Sequence, residues 1–168
     1  MQGRKAVSML NGILWDKNIT IKKQKRIYNS FVKSIITYSS EVWPLKEKAE
    51  RTLNATEVDF WRRSAGKFRK DKIPNETIRR QMKLKDDIVD DIRTQQLIWY
   101  GHVQRMEKHR IPKKILNWNP QGRRKRGRPR KSWRDGIDRE VLYRYLEVDG
   151  WGDREKWRLG IGRRGKTL

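Results

Sequence analysis

Apolar residues recur along this chain at intervals of three and four, and no stretch sustains the strict alternation of a half-buried strand. The first segment, residues 1–16, places Met9, Leu10, Ile13 and Leu14 at helical spacing and ends at Trp15. It opens with little capping chemistry, as a piece continued from upstream sequence would. Thr20 is placed to cap a helix running through about Tyr38 to Trp43, with Ile27, Phe31, Ile35, Tyr38 and Val42 as its apolar stripe and Pro44 as its stop. A second helix is predicted from about Lys46 to Lys67. Ala49, Leu53, Thr56 and Phe60 mark its face, Val58, Trp61 and Ala65 widen it, and Gly66 stands where a C-terminal glycine belongs. A charged loop follows, and Pro74-Asn75-Glu76 opens a short helix carrying Ile78, Met82 and Leu84.

The strongest periodicity runs from Asp86 to about Glu107. Ile88, Ile92, Gln95, Trp99, Val103 and Met106 share one face, flanked by Val89, Leu97 and Tyr100. The first turn of this helix is acidic and its end basic, in keeping with the helix dipole. Pro112 breaks it, and Ile115, Leu116 and Trp118 form an apolar turn that docks on the core. Ser132 can cap a helix covering Trp133, Ile137, Val141 and Tyr145; Gly150-Trp151-Gly152 ends it, and Asp153 can cap a last turn with Trp157. The expectation is therefore an all-α protein, a small irregular helical bundle followed by a further C-terminal helix.

Charge changes this picture. The 168 residues carry 43 Lys and Arg against 20 Asp and Glu, a formal net charge of +23, and only 35% are hydrophobic. The core is thus thin, and the self-repulsion of so many cations favours an anionic partner. Nucleic acid fits better than a membrane, since no apolar run approaches the roughly 18 residues that span a bilayer. Cysteine is absent, which excludes disulfides and Cys-containing zinc knuckles.

The densest charge lies between Gly122 and Arg134, where eight of thirteen residues are Lys or Arg and none is acidic. Such a run repels itself and buries nothing. Pro129 removes a backbone donor and disfavours helix at Arg128, while Gly127 raises the entropic cost of order. An extended arm ordered by a polyanion follows, with Arg123, Arg124, Lys125, Arg126, Gly127, Arg128, Pro129, Arg130, Lys131, Trp133 and Arg134 as the candidate nucleic-acid-binding residues. Arg126-Gly127-Arg128-Pro129 resembles the core of the AT-hook, in which Arg enters the negative potential of a narrow A·T minor groove. A nuclear import signal and a solvated linker are the simpler readings of the same run. Trp133, beside the arm, is the tryptophan best placed to stack on a base; Trp61 and Trp99 sit in apolar stripes and are expected in the core.

Candidate catalytic groups fall to simpler readings. Asp86, Asp87, Asp90 and Asp91 form stacked pairs a hard cation would accept, yet they lie in a helix's first turns, where acids stabilise the positive end. His102 and His109 have no metal-ligand pattern around them, and no nucleophile triad or phosphate loop can be picked out by spacing. No catalytic residue, metal or cofactor is assigned.

In their order along the chain, several segments resemble one family. They are Ile35-Ile36-Thr37-Tyr38-Ser39-Ser40-Glu41-Val42-Trp43, Phe60-Trp61-Arg62-Arg63-Ser64-Ala65, Gln96-Leu97-Ile98-Trp99-Tyr100-Gly101-His102-Val103-Gln104-Arg105-Met106, Gly122-Arg123-Arg124-Lys125-Arg126-Gly127-Arg128-Pro129 and Trp151-x-Asp153-Arg154-Glu155-x-Trp157-Arg158. Together they resemble the C-terminal region of endonuclease–reverse transcriptases of animal non-LTR, LINE-type retrotransposons. Ser39 departs from the pattern, which more often has glycine there.

The resemblance implies a thumb plus a basic C-terminal extension, without the polymerase's paired catalytic aspartates and without the endonuclease. With the reading of the residues it gives an expected thumb-like helical domain over residues 1–118, a basic flexible arm over 119–131, a C-terminal helical segment over 132–158 and a disordered tail over 159–168. Expected partners are RNA or DNA, as primer–template duplex or target DNA, together with upstream reverse transcriptase domains if the chain is a fragment. No membrane is expected, and the location is nuclear with a cytoplasmic stage. The alternative is a domesticated nuclear DNA-binding or chromatin protein that uses the arm as an AT-hook.

Overall fold

The structure is a computed structural model that describes residues 2–118, 127 and 131–162, and the regular elements among these are all helical, as an all-α fold requires. The residues group into two compact units. The first is drawn from Met1–Ser40 and Lys46–Ile92, the second from Glu41–Leu45 and Arg93–Leu168.

The first unit contains α1 (Gln2–Met9), α2 (Asn11–Leu14), α3 (Ile21–Ile27), α4 (Ser34–Ile36), α5 (Glu47–Ser64), α6 (Asn75–Gln81) and the opening residues of α7 (Ile88–Gln104). In the opening segment Val7 and Leu14 are buried, while Met9 of the predicted face is out in solvent. A Cβ on Gly3 would lie 2.5 Å from Ile36 Cγ1, so the missing side chain lets α1 lie close against α4.

Thr20 caps α3 as expected, its hydroxyl accepting the Lys23 amide at 3.5 Å. Between α3 and α4, Tyr28–Lys33 wind as a π-helical turn. That turn resets the register. Four residues overshoot an α-helical turn of about 3.6 residues, and i→i+5 bonding takes up the excess. Gln24, Tyr28, Val32 and Ile36 therefore form the buried row. The predicted stripe lies outside that row, with Phe31 57% and Tyr38 78% exposed and Ile35 and Val42 also in solvent. The helix ends at Ile36, well before Pro44. Ser39 turns the chain in the left-handed region at φ 54°. That backbone favours glycine, which accounts for the glycine the resembled family more often has there.

Helix α5 ends where Gly66 predicts. Ala65 is the C-cap, Gly66 has φ 65°, and the Gly66 and Lys67 amides donate to the Arg63 and Arg62 carbonyls at 2.9 Å each. Phe60 and Trp61 are buried, and the Tyr28 ring lies 5.1 and 4.8 Å from theirs. Glu57 is also buried, a position that reads as surface in the sequence. Its carboxylate accepts the Tyr28 hydroxyl at 3.1 Å, Arg79 Nη1 at 3.0 Å and the Ile88 amide at 3.3 Å, which joins α5 to the π-turn, to α6 and to the start of α7. Burial pushes this carboxyl above its ordinary range, against the pull of Arg79. Burial and the neighbouring carboxylate also push the Tyr28 hydroxyl far up, so it stays protonated and donates.

Pro74 stands at the N-cap position of α6. At the head of α7, Asp87 Oδ1 accepts the Asp90 amide at 2.8 Å and Asp91 pairs with Lys33, so these acids serve the helix start and an ion pair.

The second unit holds the rest of α7, α8 (Ile111–Asn117), α9 (Trp133–Tyr143) and α10 (Arg154–Gly162). Its core is Leu97, Tyr100, Ile137, Trp157 and Ile161, with Leu116, Trp133, Val141, Leu146 and Trp151 packed around it. The inward row holds in part: Val103, Leu97 and Tyr100 are buried as expected, joined by Gln96, while Gln95 is exposed and Trp99 half-buried. Gly101 seats Trp157, because a Cβ there would fall 2.4 Å from Trp157 Nε1, which donates to the Leu97 carbonyl at 3.1 Å. Ser132 and Asp135 form a capping box at α9, with bonds of 3.1 and 2.7 Å. Asp153 Oδ1 accepts the Glu155 and Lys156 amides at 3.0 and 3.1 Å, as its predicted role requires.

Buried polar contacts tie this unit together. Arg144 donates to Glu140 at 2.8 Å, to the Ile161 carbonyl at 2.6 Å and to Thr94 Oγ1 at 3.1 Å. These contacts correct the expected tail. Residues 159–162 continue α10 because Ile161 fills the core and Arg144 takes its carbonyl; 163–168 lie outside the described residues. Three further differences follow from packing. Helix α9 stops at Tyr143, and Tyr145, expected inward, is 91% exposed. The predicted turn at 115–118 is a seven-residue helix of which Leu116 packs inward, while Ile115 and Trp118 face out. The division between units falls within α7 rather than at residue 118, because Leu97 and Tyr100 share a core with Ile137 and Trp157.

Two outcomes follow. Glu57→Ala leaves Arg79, the Tyr28 hydroxyl and the Ile88 amide without their acceptor and should cost about 3 kcal/mol, read as a lower urea midpoint at constant m-value. A carboxyl whose folded pKa is raised favours the fold below its unfolded pKa. Stability relative to Glu57→Gln should therefore fall as pH climbs from the ordinary carboxylate range through the raised value; a flat difference would mean burial does not govern this group. Gly101→Ala should destabilise by about 1–3 kcal/mol through overpacking, although alanine favours a helix by about 1 kcal/mol; a higher melting temperature would contradict the Trp157 seat.

Candidate nucleic-acid interface

Of the arm residues, Arg123, Arg124, Lys125, Arg126, Arg128, Pro129 and Arg130 lie outside the described residues. Gly127 is exposed with φ 137°, a backbone suited to glycine. Lys131 is exposed, immediately before the Ser132 cap. Trp133 is half-buried, its ring packed against the core of the second unit and its Nε1 donating to the Glu41 carbonyl at 2.7 Å. The structure thus gives Trp133 a packing role; the sequence singles it out for stacking.

Arg134 marks a site the sequence does not gather. Its guanidinium lies 4.9 Å from the Tyr100 ring centroid, and it pairs with Asp138 at 3.1 Å across one helical turn. Lys113 of α8 reaches back to the end of α7, where its ammonium donates to the Gln104 carbonyl at 2.6 Å and to the Gln104 side chain. A cation is favourable at that negative helix end. The same ammonium sits 5.0 Å over the Trp151 ring. Arg105 donates to the Trp151 carbonyl at 2.7 Å, which holds that indole in place. Arg105, Lys113 and Arg134 thus stand with Tyr100 and Trp151 in one cation–aromatic patch, drawn from segments as far apart as residues 100 and 151.

The electrostatics mark the patch as short of negative charge. Partial desolvation pulls the Lys113 ammonium below its ordinary pKa, and the nearby charges of Arg134 and Lys108 depress it further. An anion lying against these cations would relieve the repulsion. Tyr100 is buried in the core, so its ring serves to hold Arg134 in place rather than to meet a base. Among the described residues the patch gathers cations and rings, whose chemistry suits an anion. His102, the titratable group nearest in sequence on α7, is exposed with its ring 5.7 Å from that of Trp99. The sequence signal for this patch is faint, since Lys113 and Arg105 are two among many cations until the fold brings Trp151 under one and against the other.

Comparison with known proteins gives a coarse relationship. A Caenorhabditis elegans protein described as transposon-derived, F52C9.6, is 28% identical over 165 residues, a match that takes in 89% of this chain and 58% of that protein. The chain therefore spans less than two thirds of that relative's length. No family model matches the chain, and no solved structure matches it. The similarity points to a transposon-related origin.

The Lys113 titration should respond to its neighbours. Arg134→Gln removes a positive charge and should move it upward, and saturation with a 20-base-pair duplex should do the same, both read from lysine side-chain NMR shifts across pH. A titration unmoved by the duplex would take Lys113 out of the interface.

Proposed function

We propose that this chain is a non-catalytic nucleic-acid-binding module, the thumb and basic C-terminal extension of a non-LTR retrotransposon reverse transcriptase. It holds RNA or DNA, in the nucleus, for a polymerase centre that lies in other parts of the whole protein. The observation that carries this reading is the patch in which Lys113 and Arg134 stand with Tyr100 and Trp151, with Lys113 depressed in part by its like-charged neighbours. The transposon-derived relative and the net charge of +23 support it. The basic arm leads directly into Arg134, so arm and patch form one cationic path along the chain.

On this reading the division of labour is physical. The arm supplies charge with little shape, and so affinity with little sequence information. The patch supplies cations held in fixed positions by the Tyr100 and Trp151 rings. If the arm meets about five phosphates of a duplex, its share of the slope of log K against log salt is roughly −4.5. Replacing Arg123, Arg124, Arg126, Arg128 and Arg130 together by Ala should flatten the slope by about that amount in a fluorescence-anisotropy salt series. An unchanged slope would remove the arm from binding. In the same series, Gly127→Ala and Pro129→Ala should lower the preference for A·T-rich duplex more than overall affinity, provided the arm enters the minor groove as an AT-hook does.

A further inference from the structure

The first unit carries a groove of about 620 Å³. Six cations line it, Arg4, Arg62, Arg63, Lys67, Arg69 and Lys70, against one acid, Asp59. Asp59 is already committed, paired to Arg63 at 3.1 Å and to Arg69 at 3.3 Å. Arg62 is held by the Ile73 carbonyl and by Asn75 Oδ1 at 2.7 Å. Among the described residues, no acid pairs with Arg4, Lys67 or Lys70. The groove also continues. Arg4 lines two further depressions, one with Lys48 and the Glu47–Arg51 pair and the other with Asp59, Arg62, Arg69 and Lys72, so cations outnumber acids beyond the first groove.

An aromatic pair stands in the same wall. Trp15 and Phe68 are stacked, with ring centroids 4.5 Å apart and planes 29° from parallel. Trp15 is fixed from behind, its Nε1 donating to Asn11 Oδ1 at 3.0 Å, and Arg63 holds that same oxygen at 2.8 Å. Phe68 is 59% exposed although a large apolar ring. The loop that presents it is braced, since Asp71 Oδ2 accepts the Phe68 amide at 2.8 Å. A preset ring with a free face beside a line of cations is the arrangement that stacks an unpaired base while the backbone follows the charges. A duplex offers no such base face, because its bases are already stacked on one another.

We propose that this groove is a second polynucleotide site, selective for single strands: phosphates lie along Arg4, Lys67 and Lys70, and an unpaired base stacks on Phe68. The site uses no residue of the arm or of the Lys113–Arg134 patch, so it extends the function proposed above and fails or stands separately from it.

The test uses the full chain with a fluorescein-labelled single-stranded 20-mer and a duplex of the same length. Phe68→Ala should weaken single-strand binding about tenfold and leave duplex binding within about twofold. Phe68→Leu, which keeps apolar bulk against Trp15, should weaken it similarly, and Phe68→Trp should restore it. Arg4→Ala, Lys67→Ala and Lys70→Ala together should reduce the single-strand salt slope by about 2, at roughly 0.7 per phosphate. Wild-type single-strand affinity in Phe68→Leu, or equal loss on single strand and duplex, would overturn the proposal. If the arm substitutions flatten the duplex slope while all groove variants bind single strand normally, this site fails and the arm reading stands. If the groove variants behave as stated and the arm substitutions do nothing, the reverse holds.

Discussion

Acids are scarce in this chain, and two of them are spent indoors. Glu57 sits at the centre of the first unit, receiving Arg79, Tyr28 and the first amide of α7. Glu140 does the corresponding work in the second unit, holding Arg144 at 2.8 Å, with Arg93 at 3.8 Å. A buried ion pair contributes little net stability, because desolvation takes back most of the attraction, but losing one partner is costly. What such a pair supplies is geometric restriction: few arrangements of these helices give each carboxylate its full set of donors. In a chain with few large apolar residues that restriction carries unusual weight. It also leaves fewer acids to neutralise the outer surface, where the remaining cations face solvent or an anionic partner.

Much of the fold is legible in the sequence where the cause is local. The Thr20, Ser132 and Asp153 caps and the Gly66 stop each depend on a hydroxyl, a carboxylate or a missing Cβ within a few residues, and each stands where it is read. Apolar periodicity is less secure. It assumes one pitch, and the π-helical turn at Tyr28–Lys33 changes the pitch in the middle of a helix, so the stripe through Phe31 and Ile35 is displaced from the buried row. Glu57 escapes for another reason: a glutamate in a charged helix reads as surface until Arg79 and Tyr28 are seen beside it. The end of α10 escapes because Gly160 and Ile161 are ordered by Leu146 and Arg144, contacts that no local reading supplies.

The candidate interfaces divide along the same line. A run of Arg and Lys around Gly127 is conspicuous in sequence because its signal is density. The Lys113–Trp151 and Arg134–Tyr100 contacts are not, because each joins residues more than thirty positions apart. The Trp15–Phe68 stack spans more than fifty. Sequence therefore announces a run of charge and conceals contacts that only the fold assembles. Charge density alone does not separate a nucleic-acid contact from an import signal.

The seating of Trp157 on Gly101 has a consequence for the order of events on the ribosome. The second unit cannot close its core until residues 157 and 161, close to the end of the chain, have been made. Domains generally fold as units, the earlier first, during synthesis, and the residues of the first unit run no further than Ile92. The polycationic segment at 122–134 is consequently translated before the indole that completes the core of the second unit. Any polyanion close to the exit tunnel therefore meets that run of Arg and Lys before the second unit's core is complete.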